Sequence, residues 1–179
     1  MPESIFRCEN GVNIYACCLY DEVSKKLIKD LKYHNKKKIS KIIADLMFEY
    51  WQSLNLKGEY TILPVPIHKL RRKERKYNHM DLVAEEFSKL TKFKYNKDFL
   101  IRIKDTQKQF KLNKQERIKN IKGAFSINSE KILEKNEPIL IIDDITSSGI
   151  TLKEIIVMLK KEGYKNILAI AFSTPDIWN

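Results

Sequence analysis

Two adjacent carboxylates, Asp143 and Asp144, close the apolar run Ile139-Leu-Ile-Ile142 and stand just before Thr146-Ser-Ser-Gly-Ile-Thr151. A continuous run of β-branched residues and Leu suits a strand buried on both faces, the usual state of a central parallel strand. In open α/β sheets, ligands bind at the carboxyl ends of such strands. The turn 146–151 would gather backbone N–H groups and the hydroxyls of Thr146, Ser147, Ser148 and Thr151 at the positive end of the next helix. That is a setting for a phosphate monoester, and Gly149 lets the backbone approach the anion. Two aspartates would repel a phosphate beside them, but they accept hydrogen bonds well from a ribose diol. A sugar 5-phosphate, with its phosphate in the loop and its hydroxyls on Asp143 and Asp144, satisfies both halves.

Three other readings fit the segment less well. A strand ending in Asp-Asp suits a Walker B element, but no GxxxxGK[ST] pattern occurs in the chain. A phosphoacceptor receiver domain needs several more strands after its acidic pair, and only 35 residues follow Asp144. Simple capping of a helix by Asp144 or Thr146 needs one such residue, not two acids and four hydroxyls.

The rest of the chain must position this segment. Its 179 residues suit one domain, with 43% hydrophobic residues to build a core. No apolar run is long enough to span a bilayer, and the start has no secretory pattern. Cys8, Cys17 and Cys18 are odd in number and fit neither a disulfide framework nor a zinc half-site, so reduced thiols and a cytoplasmic location are expected. The net charge of +11 is concentrated: residues 61–125 carry 18 Lys or Arg against 7 Asp or Glu. This is either a Lys-rich solvated surface or a contact for a phosphate-rich partner.

Periodicity predicts a helix over 20–33, capped by Asp21, with Val23, Leu27, Ile28 and Leu31 inward. A second helix is expected from Ser40, burying Ile42, Ile43, Leu46, Met47 and Tyr50. Residues 60–64 read as a strand ended by Pro64 and Pro66, and the stretch 69–76 is basic. A third helix follows Asn78, with Met80, Val83, Ala84, Phe87 and Leu90 on one face. Residues 99–103 and 124–127 read as strands. Between them, 104–122 reads as a polar arm with a helical turn near Gln115. The strand 139–142, a helix over 151–161 ended by Gly163, and a strand over 166–173 complete a βαβ unit. Strands alternating with helices predict an α/β fold with a mainly parallel sheet.

The segment 139–152 resembles the phosphoribosyl pyrophosphate (PRPP) signature of type I phosphoribosyltransferases. Two further blocks resemble the ComF family, phosphoribosyltransferase-like proteins linked to natural transformation. One is Leu63-Pro-Val-Pro-Ile, then Leu70-Arg-Arg-Lys-Glu-Arg-Lys-Tyr-Asn-His, then Leu82-Val-Ala. Here Lys76 replaces the family's usual Gly, Tyr77 its Phe and His79 its Gln. The other is Arg102, Thr106-Gln-Lys-Gln109, Leu112, Arg117 and Asn120-Ile-Lys-Gly-Ala-Phe125, with Lys108 where Pro is usual. The helix from Tyr20 to Lys32 also resembles the family's entry helix, so the likeness covers about residues 20–173. Many members begin with a four-cysteine zinc module, which this sequence lacks, so no zinc is expected.

The resemblance implies a type I phosphoribosyltransferase fold over 1–179: a central, mainly parallel, twisted sheet flanked by helices. It places N-terminal helices or a small hood at 1–58 and a PRPP-binding core at 59–173, with a flexible arm at 104–122. It implies the 5-phosphate loop at Thr146, Ser147, Ser148, Gly149, Ile150 and Thr151, and ribose hydroxyls on Asp143 and Asp144. Pyrophosphate would meet Lys69, Arg71, Arg72 and Arg75, and the arm would bring Gln109 and Arg117. Mg²⁺ would bind mainly through PRPP, near Asp143 and Asp144. His34, His68 and His79 carry no assigned role, and His79 reads as a polar residue at a helix start.

The implied partners are PRPP, single-stranded DNA along the basic face of 61–125, and proteins of a DNA-uptake machinery. Aromatics such as Tyr33, Tyr77 and Phe110 would serve for stacking or for the core. The alternatives are a metabolic phosphoribosyltransferase salvaging a small base by pentosyl transfer, and a PRPP-binding regulator without turnover.

Overall fold

The computed structural model describes residues 5–33, 37–106 and 113–175. Strands β1 (Ile5–Glu9) and β2 (Val12–Leu19) lead into helices α1 (Glu22–Tyr33) and α2 (Lys37–Ser53). Then come β3 (Thr61–Pro64), α3 (Lys69–Arg75), α4 (His79–Thr91), β4 (Lys94–Tyr95) and β5 (Leu100–Arg102). The chain closes with α5 (Lys114–Ile121), β6 (Phe125–Ile127), β7 (Ile139–Ile145), α6 (Ile150–Lys161) and β8 (Ile167–Thr174).

Six strands form one sheet in the order β1-β2-β8-β7-β3-β4, and every neighbouring pair except β1–β2 is parallel. β5 and β6 form a separate antiparallel ribbon. The expected mainly parallel α/β sheet with flanking helices is therefore present.

Side chains alternate across β7 and divide the core between two layers. Ile139 and Ile141 pack with Leu152, Ile155, Ile156 and Leu159 of α6, with Phe125 of the ribbon and with Phe99 just before it. Leu140 and Ile142 pack on the other face with Ile28 and Leu31 of α1, Met47 of α2, and Val83 and Phe87 of α4. Burial on both faces is why the run 139–142 lacks polar alternation.

The N-terminal hairpin was not foreseen. Its turn, Asn10-Gly11, has positive φ at both residues (51° and 68°), the geometry of a type I′ hairpin turn. Helix α1 begins as expected, with Ser24 N–H donating to Asp21 Oδ1 at 2.8 Å and Asp21 N–H donating to Ser24 Oγ at 2.9 Å. Val23, however, is 67% exposed, and in α2 Ile42 and Leu46 face outward while Ile43, Met47 and Tyr50 are buried. Helix α2 starts at Lys37, so Ser40 sits inside it rather than capping it.

The basic stretch 69–76 is also a helix, capped by His68, whose ring accepts from Leu70 N–H. Helix α5 gives the expected turn near Gln115 more substance: Asn113 and Glu116 form a reciprocal capping box. Cys17 and Cys18 are free, half-buried thiols. Burial pushes them up to about 12 and about 11, far from the reactive thiolate range.

Candidate functional site

Strand β7 continues through the acidic pair to Ile145, so both carboxylates stand on the carboxyl end of a central strand. A cavity of about 440 Å³ opens there, lined in part by Asp143, Asp144, Ser147, Thr151, Arg71, Arg75, Arg102, Arg117, Lys32 and His79. Residues from α1, α3, α4, β5, α5, β7 and α6 thus converge on one hollow.

Asp144 is the most heavily bonded member. Its Oδ2 accepts from His79 Nε2 at 3.0 Å and pairs with Lys32, and its Oδ1 accepts from Ile145 N–H at 2.8 Å. Burial works to raise this carboxyl, but the Lys32 charge and the His79 hydrogen bond override it and hold it well below the usual range. Asp143 is the opposite case. Its burial, together with the neighbouring Asp144 charge, drives its carboxyl well above the usual range, although Asp144 N–H donates to Asp143 Oδ1 at 2.9 Å. Pairs of acids pushed apart in this way divide their roles.

Burial also lowers His79, against the pull of Asp144. The ring is then neutral, Nε2 carries the hydrogen donated to Asp144, and Nδ1 is left buried without a partner. His79 is the first residue of α4, after the N-cap Asn78. It is a helix-start residue, as expected, and it also forms part of the acidic site, which was not expected.

The loop 146–151 does not cap α6 with a side chain. Gly149 is the N-cap, in the left-handed region at φ 69°, which only glycine adopts without strain. Ser147 and Thr151 line the cavity. Thr146, Ser148, Gly149 and Ile150 do not: Thr146 is buried with its N–H on Ser173 O and its Oγ1 unpartnered, and Ile150 belongs to the core. Arg117 reaches the loop, with Nη1 3.4 Å from Ser147 Oγ.

Helical geometry sorts the basic block. Residues four apart share a face, and Arg71 and Arg75 line the cavity. Lys69 and Arg72 lie on another face and line a neighbouring cavity that shares Pro66, Ile67 and Arg102 with the first. Arg72 is occupied there by Asp81 (3.4 Å) and Asp98 (3.8 Å). Of the four side chains expected at pyrophosphate, two therefore line this cavity and two do not. Gln109 and Phe110 lie outside the described residues, as does His34.

Arg102, quoted only as part of a resemblance block, and Lys32 join the site without having had an expected role there. Arg102 lies over the Phe125 ring at 5.4 Å, donates to Thr106 Oγ1, and has its Nε buried without a partner. Burial and the Arg71 charge lower it to about 10. Its cross-strand partner in the ribbon is Phe125, so one block of the resemblance folds around one guanidinium. Arg71 Nη2 donates to Thr106 O at 2.7 Å from the other side.

Not every basic residue of 61–125 lies beside the cavity. Lys94 pairs with Glu137, and β4 aligns Lys94 with Thr61 at the amino end of β3, the edge opposite the cavity. Lys69, Lys73 and Lys76 of the α3 region are exposed near the cavity.

The fold is a mainly parallel, helix-flanked α/β sheet with a polar cavity at the carboxyl edge of its strands. No protein-family model matches the chain. Competence protein F of Haemophilus influenzae is 30% identical over 152 residues, covering 83% of this chain and 66% of that protein. DNA utilization protein YhgH of Escherichia coli O6:H1 is 24% identical over 141 residues, covering 76% and 61%. Both likenesses support the resemblance to the ComF family, and the chain spans a little under two thirds of the length of these relatives. Among solved structures, adenine phosphoribosyltransferase from Leishmania donovani aligns at a TM-score of 0.49 and 13% identity, over 97% of this chain and 88% of that one. The allosteric regulatory enzyme of purine biosynthesis aligns at 0.48 and 14%, over 79% and 29%.

Among the described residues, no group of three or more His, Cys, Asp or Glu side chains is placed to hold a metal ion. With Asp144 already bonded to Lys32 and His79, the protein offers Mg²⁺ at most the acidic pair. That fits an ion carried largely by phosphate oxygens, the common mode for Mg²⁺. No described helix is long and apolar enough to cross a membrane.

Proposed function

We propose that this chain binds PRPP with Mg²⁺ at the carboxyl edge of its sheet and acts in DNA uptake, handling single-stranded DNA beside that site. The observation that carries the reading is the convergence in one cavity of the acidic pair, Ser147 and Thr151 of the hydroxyl loop, and five Lys or Arg side chains. A 5-phosphate would take the loop and the Arg117 side. The ribose hydroxyls would meet Asp143, and the pyrophosphate would lie toward Arg71 and Arg75. Mg²⁺ neutralises charge on pyrophosphate oxygens when bound. A cavity of about 440 Å³ suits one small polyanion and not a DNA strand. DNA would therefore track outside it, over the exposed Lys69, Lys73 and Lys76. The names of the relatives, competence protein F and DNA utilization protein, support the process.

Calorimetry tests both halves. Wild-type protein should bind PRPP with Mg²⁺, and Asp143→Asn/Asp144→Asn should abolish that binding. Normal binding by the double variant sinks the reading. Affinity for single-stranded DNA should fall with salt at a slope of about −0.7 per phosphate contact. No DNA binding at low salt removes that half.

A further inference from the structure

Asp144 already has an N–H donor on each carboxylate oxygen before Lys32 is counted. Asp144 Oδ1 has the Ile145 N–H and Oδ2 has His79, and Lys32 is added to the same Oδ2 from α1. An ammonium carries three N–H donors, and Asp144 engages one of them. Lys32 lines the cavity with its side chain only 22% exposed.

Its placement is built rather than incidental. Tyr77, in the turn between α3 and α4, donates its hydroxyl hydrogen to Leu31 O at 2.6 Å and so fixes the last turn of α1 one residue before Lys32. The charges of Lys32 and Arg75 both bear on the His79 ring. Lys32 therefore belongs with the α3 cations, whereas Arg117 marks the loop end of the cavity through Ser147.

We infer that Lys32, supplied by the N-terminal helices, is an anion-contacting residue of this cavity that takes the pyrophosphate end of the bound ligand and is held ready by Asp144. The inference rests on the PRPP reading above and names a contact that the core alone does not provide. It gives the N-terminal helices a direct part in the site. It also makes recognition of the ligand depend on how α1 is seated against the turn at Tyr77.

The test uses the full chain and three probes, each with Mg²⁺: PRPP, inorganic pyrophosphate and ribose 5-phosphate. Lys32→Met should weaken PRPP and pyrophosphate about tenfold or more, the loss expected for one charge-assisted contact. It should leave ribose 5-phosphate within about twofold. Lys32→Arg, which keeps the charge and the donors, should restore most of the loss. Equal weakening of PRPP and ribose 5-phosphate would mean that Lys32 acts only by orienting Asp144, and would overturn the inference. So would unchanged binding of all three probes. A wild-type protein that binds none of them overturns the PRPP reading itself, and the inference with it. Near-native circular dichroism and thermal unfolding of both variants keep misfolding out of the comparison.

Discussion

His79 and Asp144 are 65 residues apart in sequence, yet Nε2 of one lies 3.0 Å from Oδ2 of the other. The ring is buried and neutral and serves Asp144 as a single N–H donor. A glutamine amide offers the same donor, and Gln is the residue common in the resembling family. His79→Gln should therefore keep PRPP affinity within a few fold, whereas His79→Ala should weaken it about tenfold by removing a hydrogen bond to a charged group. Titration calorimetry of the two variants checks this, and equal loss in both would dismiss the donor role.

The helical sorting of α3 makes a second prediction. Arg71→Ala and Arg75→Ala should each weaken PRPP binding about tenfold. Lys69→Ala should leave it within about twofold, because Lys69 lines the neighbouring cavity. DNA affinity should respond in the reverse order, falling more for Lys69→Ala than for Arg75→Ala.

Lys76 closes α3 in the left-handed region, at φ 67°. A residue with a Cβ pays about 1 kcal/mol there, and glycine does not. Lys76→Gly should raise Tm by about 2–4 °C for a chain of this size. A lower Tm would mean that Lys76 makes a contact worth more than the strain. The same geometry gives a physical reason for the family's usual Gly at this point.

Asp81 supplies a pH dependence. Burial raises its carboxyl to about 6, against the opposing Arg72 charge and a hydrogen bond from Asn78. The folded protein therefore holds a proton that the unfolded chain has released between about pH 4 and pH 6. Asp81's contribution to stability is full below that window and lost as pH rises through it. Urea unfolding at pH 4 and pH 7 should show Asp81→Asn gaining on the wild type as pH rises. A pH-independent difference would refute the assignment.

Legibility in the sequence followed the reach of each contact. The unit β7-α6-β8 announced itself through continuous apolar runs and a loop rich in hydroxyls, features that lie within 35 residues. Helix α3 did not, because its seven residues hold one apolar side chain, Leu70, which is exposed. A helix without a buried stripe has no period to read. In the N-terminal hairpin, the sequence Val12-Asn-Ile-Tyr-Ala-Cys-Cys-Leu19 blurs the two-residue alternation, although Asn10-Gly11 was a usable turn signal. Lys32 and His79 could not be found by spacing at all, since their partner comes from a distant strand. The basic block was visible as charge, but the split between Arg71 and Arg75 on one side and Lys69 and Arg72 on the other appears only once the segment is known to be helical.

The pairing of β2 with β8 has a consequence for how the molecule is made. Ile14 lies beside Ala169 and Leu19 beside Thr174, so an early strand finds its place against the last one. At about 5–20 residues per second, translation separates the appearance of these strands by roughly 8–30 s. Until then β2 and the helix behind it have no sheet to join, and contacts so far apart in sequence form slowly. Lys32 and Asp144 consequently meet only after β8 has been made. A nascent chain stopped before β8 carries the acidic pair without a sheet to seat its N-terminal cation, so the cavity is completed only once β8 is in place.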